Sequence, residues 1–167
     1  MPDKAKELTG KLLLFRAGTM LALPLASVDE VLPFVQLTCP PSAPGSVVGI
    51  ANVSGVAVTV INLSTLLDLD TPAPDSRWHM IKLKRPDPPL ALLVERAMSA
   101  VDARALDLAP ISGDVTFNGM IQGELIRNGD PVAHLLDAEK VLTAEEAQRL
   151  ENFARLAQDR LDGLEVA

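Results

Sequence analysis

The residues of this chain whose types suit catalysis or metal binding are one cysteine and two histidines. Cys39 lies in a proline-rich segment, and His79 and His134 lie far downstream. A cysteine nucleophile needs a histidine within hydrogen-bond reach, and a structural zinc ion needs four ligands at short, regular spacings. The pattern provides neither arrangement, so the sequence predicts no catalytic site and no metal site. An enzyme on a small β scaffold that uses Cys39 is the alternative.

Motifs for phosphate or cofactor binding are also missing from the sequence. It has neither a P-loop nor a GxGxxG segment. Residues 68–71, Asp-Leu-Asp-Thr, resemble an aspartic-protease element, but the glycine that would follow is absent and the segment precedes a connector. The sequence therefore predicts a protein that is not an enzyme and has no cofactor.

Composition and charge exclude further classes of partner. The chain has 167 residues, of which 48% are apolar and 3% aromatic, and its formal net charge is −7. Proteins that bind nucleic acids concentrate Lys and Arg on one surface, so neither a nucleic acid nor an anionic membrane is the expected partner. A single cysteine cannot form an internal disulfide and fits a reducing compartment, which predicts a cytoplasmic location.

An apolar segment near the start superficially resembles a signal peptide. Residues 11–28 carry Arg16 in the middle, where a charge costs about 2.5–3.5 kcal/mol of membrane insertion. Gly18 and Pro24 also interrupt any continuous helix. We therefore predict two strands joined by a turn at residues 17–19, and no membrane insertion.

An internal repeat indicates the elements that position the remaining residues. Gly49 and Gly55 are six residues apart, and Gly123 and Gly129 repeat that spacing; in both copies a valine follows three residues later. Upstream, residues 21–25 are answered by residues 90–94. A repeat of this length predicts one β unit used twice, with a seam between the copies.

The pattern of apolar runs and turn residues predicts an all-β protein of two lobes packed together, with a C-terminal α-helix. Asn128-Gly129 is predicted to be a hairpin turn, because both positions tolerate positive φ, and Ser54-Gly55 is predicted to be the hinge between two strands. Residues 63–69 are predicted to turn helically. The predicted strands span residues 11–17, 20–25, 47–53, 56–62, 78–84, 90–94, 120–126 and 131–136. Residues 29–32 are predicted to form either a further strand or a short edge that contains a turn. The predicted divisions are lobe one at about 11–69, a connector at 70–77, lobe two at 78–142 and the helix at 143–164.

The C-terminal helix has two interpretations. Residues 143–146, Thr-Ala-Glu-Glu, form a capping box that begins the helix. Apolar residues then recur at helical spacing: Leu150, Phe153, Ala154, Ala157, Leu161 and Leu164. An amphipathic helix usually covers its own core, but it also serves as a docking or self-association surface.

Several segments, taken in order, resemble the CheW-like chemotaxis coupling-protein family over nearly the whole chain. No single segment decides the match; their order and spacing do. The matching residues are Phe15, 21–25, 28–31, 37–38, Pro41, 43–44, 48–52, Gly55, 58–63, 66–67, 91–95, Gly123 and 135–137.

The resemblance implies two five-stranded SH3-like β-barrel lobes with an apolar seam. It also implies a non-catalytic adaptor that joins the cytoplasmic tips of methyl-accepting chemoreceptors to the regulatory domain of a CheA-type histidine kinase. The family's Val-x-Glu-Val element falls on Val28, Glu30 and Val31. Its Gly-Val-Ile-Asn-Leu-Arg-Gly element falls on residues 49–55. The partner-binding residues carried over from the two elements are Val28, Glu30, Val31, Gly49, Asn52, Ser54 and Gly55.

Each of these residues also has a purely structural interpretation. Gly49 and Gly55 suit a turn or a close approach, Val28 and Val31 suit a core, and Asn52 suits a local backbone contact. Glu30 alone would be a solvated charge. Ser54 replaces the family's usual arginine, so a guanidinium for bidentate bonding is absent here.

The alternative to the adaptor is a divergent CheW-like structural protein that self-associates through its C-terminal helix. Within the adaptor role, a further hypothesis is autoinhibition, in which this helix lies in the seam and blocks a receptor from it.

Overall fold

A computed structural model of the protein describes residues 10–39, 47–85, 88–110, 120–140 and 144–166. Within the last range, side chains are described for residues 152–163. Most of the proline-rich segment and Thr143 of the predicted capping box lie outside the described residues. The side chains of Leu150 and Leu164 do so as well.

The described residues form eleven β-strands and two α-helices. The strands are β1 (Lys11–Arg16), β2 (Met20–Pro24), β3 (Val28–Pro33), β4 (Val47–Val53), β5 (Val56–Asn62), β6 (His79–Leu83), β7 (Leu90–Val94), β8 (Arg96–Asp102), β9 (Asp107–Ala109), β10 (Ile121–Arg127) and β11 (Asp130–Leu136). The helices are α1 (Leu63–Leu66) and α2 (Ala144–Val166), and short 3-10 helices occupy Leu25–Ser27, Ala103–Ala105 and Ala138–Lys140.

The strands form two sheets. The first has the order β8-β1-β2-β11-β10-β9, and the second has the order β3-β6-β7-β5-β4. Pairing is antiparallel except between β2 and β11 in the first sheet and between β7 and β5 in the second. This mostly β arrangement of two sheets and a C-terminal helix confirms the predicted fold class.

The two sheets exchange strands between the halves of the chain. The hairpin β1–β2 lies in the first sheet with β8 to β11, and the hairpin β6–β7 lies in the second with β3 to β5. The sheets therefore do not coincide with the predicted segments 11–69 and 78–142. The reason is the pair of parallel contacts, through which each repeat donates its first hairpin to the sheet of the other.

The internal repeat corresponds to two equivalent hairpins, β4–β5 and β10–β11. Their turns have the same backbone conformation: φ is 52° at Ser54 and 83° at Gly55, and it is 53° at Asn128 and 84° at Gly129. Positive φ at both central residues is typical of a two-residue hairpin turn of type I′. The predicted hairpins and their turns are confirmed.

The first glycine of each repeat allows a neighbouring backbone to approach the hairpin. A Cβ on Gly49 would lie 2.8 Å from the carbonyl oxygen of Thr38, and one on Gly123 would lie 2.7 Å from that of Ala109. Thr38 bridges to Ile50 in β4, and Ala109 belongs to β9, which pairs with β10. The close-approach interpretation of Gly49 is thus confirmed.

Three hydrophobic clusters hold the sheets together. One lies between strands of the first sheet and another between strands of the second. The third, which we call the seam core, combines buried residues of both sheets, including Phe15 and Leu21 from the first and Ile61 and Ile81 from the second. Strand β5 contributes Val58 and Val60 to one cluster and Ile61 to the seam core, so it is buried on both faces, as its apolar sequence predicts.

Thr59 is a polar residue inside this otherwise apolar strand. Its backbone N–H donates to the carbonyl of Pro89 at 3.2 Å. Its side-chain Oγ1 is fully buried and, among the described residues, has no hydrogen-bond partner. A buried hydroxyl without a partner costs free energy, because it loses its bonds to water on folding.

Replacing this hydroxyl by a methyl group should stabilise the protein. We expect Thr59→Val to raise the free energy of unfolding by about 1 kcal/mol, measured by urea denaturation. Thr59→Ala is the control, since it removes the hydroxyl but leaves a void and should lower stability. A less stable valine variant would show that the hydroxyl does have a partner.

Candidate partner-binding surface

The seven predicted partner-binding residues all lie in the second sheet, in two groups. Val28, Glu30 and Val31 belong to β3, and the other four belong to β4 and the turn that follows it. Strands β3 and β4 are the two end strands in the hydrogen-bonding order of this sheet. The groups are therefore not adjacent in that order.

Strand β3 presents a charged and an apolar side chain. Val28 is buried and belongs to the seam core, which confirms its structural interpretation. Glu30 is exposed, and Val31 is 40% exposed. Of the three, Glu30 and Val31 are accessible to a partner.

Lys82 organises the charges beside Glu30. It lies opposite Glu30 in the pairing of β3 with β6, and its Nζ is 2.8 Å from the Asp29 carboxylate. The hydrogen bond from Lys82, followed by its charge, lowers the pKa of Asp29. The acidic end of β3 is thus partly neutralised at Asp29, while Glu30 has no ion pair within 4.0 Å among the described residues.

The turn between β4 and β5 is held by the asparagine that precedes it. Asn52 Oδ1 accepts a hydrogen bond from the backbone N–H of Gly55 at 2.9 Å, which is the local backbone contact expected for this residue. Ser54 is exposed at the tip. Gly49 is buried against the segment that contains Thr38. Ser54 and the outer side of Asn52 are therefore the accessible parts of this group.

Helix α2 docks on the same hairpin through a residue that sequence reasoning missed. Gln158 Oε1 accepts from the backbone N–H of Ala57 at 2.7 Å, and its Nε2 donates to the Gly55 carbonyl at 3.2 Å. A sequence signal was available, because Gln158 follows Ala154 by four residues and precedes Leu161 by three. It is thus a polar residue within the apolar stripe of the helix.

Two clefts lie on either side of this contact. The larger has a volume of about 360 Å³ and separates α2 from the start of β5 and residues 88–89. The smaller has a volume of about 130 Å³ and is bordered by Asn52 and Ile50 on the sheet and by Ala157 and Leu161 on the helix. The helix therefore covers the hairpin without sealing it.

A third cleft of about 530 Å³ lies at the junction of the two sheets and is lined in part by charged side chains. Glu95 lines it; its carboxylate accepts from the backbone N–H of Gly18 at 2.6 Å and lies 4.0 Å from the Arg16 guanidinium. His79 Nδ1 accepts from the backbone N–H of Ala97 at 3.1 Å, which links β6 of one sheet to β8 of the other. These polar groups join the sheets.

The cysteine and the two histidines occupy different places in the fold. Cys39 is exposed after the bridge at Thr38, His79 lies at the junction of the sheets, and His134 lies in β11 within 3.5 Å of Glu124. Within the ranges that the structure describes, no group of three or more His, Cys, Asp or Glu residues is placed to hold a metal ion.

Whether a helix could span a membrane depends on its length and on its apolar character. No helix in the described part of the chain is long and apolar enough to cross a bilayer.

Comparisons with known proteins place these features in context. A family model described as a CheW-like domain matches residues 11–146. Among solved structures, the chain is similar to the scaffolding protein TtCheW from Thermoanaerobacter tengcongensis, with a TM-score of 0.69 and 17% sequence identity. The similarity covers 83% of this chain and 97% of that one, and at this identity it shows the fold. None of the curated proteins is a significant sequence match.

Proposed function

Because this chain belongs to the CheW-like domain family, we propose that it is a non-catalytic adaptor that couples methyl-accepting chemoreceptors to a CheA-type histidine kinase. The match of the family model to residues 11–146 carries this proposal, since that range contains every strand of both sheets. Proteins of this family are scaffolds of chemotaxis signalling. The proposed role requires a cytoplasmic location, with recruitment to receptor arrays.

We propose that the kinase and the receptor bind different surfaces of this chain. Glu30 and Val31 offer one charge and one apolar side chain on an end strand, which suits the regulatory domain of the kinase. The seam between the sheets would take a receptor helix with apolar anchors at helical spacing. Transient interfaces of this kind bury about 1,000–1,600 Å² in total.

The β4–β5 turn is expected to contribute little charge to this interface. Ser54 and Asn52 offer neutral hydrogen bonds where the family usually has an arginine. A neutral bond is about half as strong as a charge-assisted one. The kinase that pairs with this chain is therefore expected to lack a carboxylate that depends on a guanidinium at this position.

Recovery of partners from cells is the direct test of the proposed role. A tagged chain incubated with the cytosol and membranes of its source should retain a CheA-type kinase or chemoreceptors, identified by mass spectrometry. Retention of neither, under conditions in which the tagged chain is folded, would contradict the adaptor role.

Glu30→Lys should weaken kinase binding without unfolding the protein. Reversing this exposed charge places two lysines opposite each other in β3 and β6 and opposes any basic group of the partner. We expect the dissociation constant for the regulatory domain to rise about tenfold to a hundredfold, measured by titration calorimetry. Asp107→Lys is the matched control, because Asp107 is exposed in β9 of the other sheet and the variant makes the same charge change there. If both variants bound the regulatory domain with the same dissociation constant, Glu30 would not belong to the kinase-binding site.

A second candidate function is self-association through α2. The observation that favours it is Leu156, which is 60% exposed on this helix, with Val56 of β5 also exposed. Light scattering distinguishes this candidate, since it requires a dimer at micromolar concentration, whereas the adaptor role does not.

A further inference from the structure

The Gln158 side chain continues the hydrogen bonding of β5 beyond the point where its neighbouring strand ends. Strand β7 pairs in parallel with β5 from Thr59 onward, and Thr59 N–H donates to the Pro89 carbonyl. Two residues earlier, Ala57 pairs with β4 on one side but lies beyond the paired residues of β7 on the other, and its N–H donates to Gln158 Oε1. The amide of Gln158 also donates to the Gly55 carbonyl, so it binds the backbone much as a strand would.

These backbone groups lie within the predicted partner surface. Gly55 lies in the β4–β5 turn. Its carbonyl accepts a hydrogen bond from Gln158, and its N–H donates one to the side chain of Asn52. Asn52 also borders the smaller cleft together with Ala157 and Leu161 of α2. A partner that binds the turn from this side therefore meets the helix first.

The contact between α2 and the hairpin is limited in extent. In the part of α2 with described side chains, Phe153 and Ala154 are buried, whereas the residues around Gln158 are partly or fully exposed. A cleft lies on each side of the helix. Thr59, on the same face of β5 as Ala57, keeps a buried hydroxyl without a partner, which indicates imperfect packing on this face.

We propose that α2 competes with the kinase regulatory domain for the β4–β5 hairpin, and that Gln158 holds the hairpin in the covered state. This inference rests on the proposed adaptor function. The kinase domain binds the hairpin only when Gln158 has left the Gly55 carbonyl and the Ala57 amide. Covered and uncovered states are then in equilibrium, and the apparent affinity for the kinase is reduced by the uncovered fraction.

The test compares Gln158→Ala with Asn152→Ala in the full-length chain. Asn152 is exposed on the same helix, where its Oδ1 accepts from the Arg155 guanidinium, so its replacement should leave the covered state unchanged. Hydrogen exchange reports the contact itself: the Ala57 amide should exchange faster in Gln158→Ala and at the wild-type rate in Asn152→Ala. Both variants retain Phe153, so the packing of α2 against the seam core through this residue is unchanged.

Kinase binding then reports the competition. We expect Gln158→Ala to bind the regulatory domain about five- to thirtyfold more tightly, the effect of losing two partly exposed hydrogen bonds. Asn152→Ala should bind as the wild type does. Faster exchange at Ala57 with unchanged or weaker kinase binding would overturn the inference but leave the adaptor role intact. Absence of binding by every variant, including the wild type, would overturn the adaptor role and the inference together.

Discussion

Replacing Phe153 by alanine is expected to lower the free energy of unfolding by about 3–4 kcal/mol. Phe153 is 8% exposed and belongs to the seam core, where residues of both sheets meet. Removing its ring leaves a void at the place where α2 is fixed to the two sheets. Urea denaturation followed by the fluorescence of Trp78, the single tryptophan, measures the change, since this residue is buried in the second sheet.

Leu156→Ala is the control for this experiment. Its side chain is 60% exposed on the same helix, so its removal should change stability by less than about 0.5 kcal/mol. If both variants were nearly as stable as the wild type, α2 would be detached from the sheets in solution. That result would favour the self-association candidate, which leaves the helix available to a second copy.

The second large effect is expected at the two equivalent glycines. Gly49→Ala and Gly123→Ala should each cost about 2–3 kcal/mol, because the new methyl group would lie within 2.8 Å of a backbone carbonyl oxygen. A backbone atom cannot move aside as a flexible side chain does, so the hairpin and the adjacent segment must separate. Thermal and chemical unfolding measure the loss.

Gly163→Ala is the matched control, with the opposite sign. This glycine lies within α2, and a Cβ there would meet nothing within 4 Å. Alanine favours a helix over glycine by up to about 1 kcal/mol, so the variant should be slightly more stable. Equal losses at Gly49 and Gly123 would assign Gly49 a structural role, because Gly123 has no predicted partner. Loss of kinase binding by a fully stable Gly49→Ala variant would assign it to the interface instead.

The strands that sequence reasoning located best are those with continuous apolar runs between turn residues. The predicted spans 47–53, 56–62 and 90–94 agree with β4, β5 and β7. Burial on both faces gives such strands long runs of Val, Leu and Ile, and glycine-containing turns mark the hairpin ends. In these three segments the apolar sequence run and the strand both follow from burial on two faces, so the sequence alone is enough to locate them.

The sequence analysis did not predict strands β8 and β9, because neither has a long apolar run. Strand β8 is mostly exposed, and its sequence, Arg-Ala-Met-Ser-Ala-Val-Asp, has no clear alternation. Strand β9 has only three residues. Their pairing with β1 and β10 depends on tertiary context, which a single sequence does not display.

The candidate site was predicted in part. Glu30, Val31 and Ser54 are exposed as a partner contact requires, whereas Val28 is buried and Asn52 binds the turn. The position of Gln158 within the apolar stripe of α2 marks it as unusual, but its partners are backbone groups about one hundred residues earlier in the chain, to which no sequence motif points.

The exchange of hairpins between the two sheets has a consequence for how the chain is made. During synthesis, β1 and β2 emerge first, but their neighbours β8 and β11 lie in the second half of the chain. The first sheet therefore cannot be completed until residue 136 has left the ribosome, and the second cannot be completed until β7 has done so. Contacts of such long sequence separation slow folding. Neither half, once cut at the connector, contains all the strands of a complete sheet, so we expect each half of the repeat to need the other in order to fold.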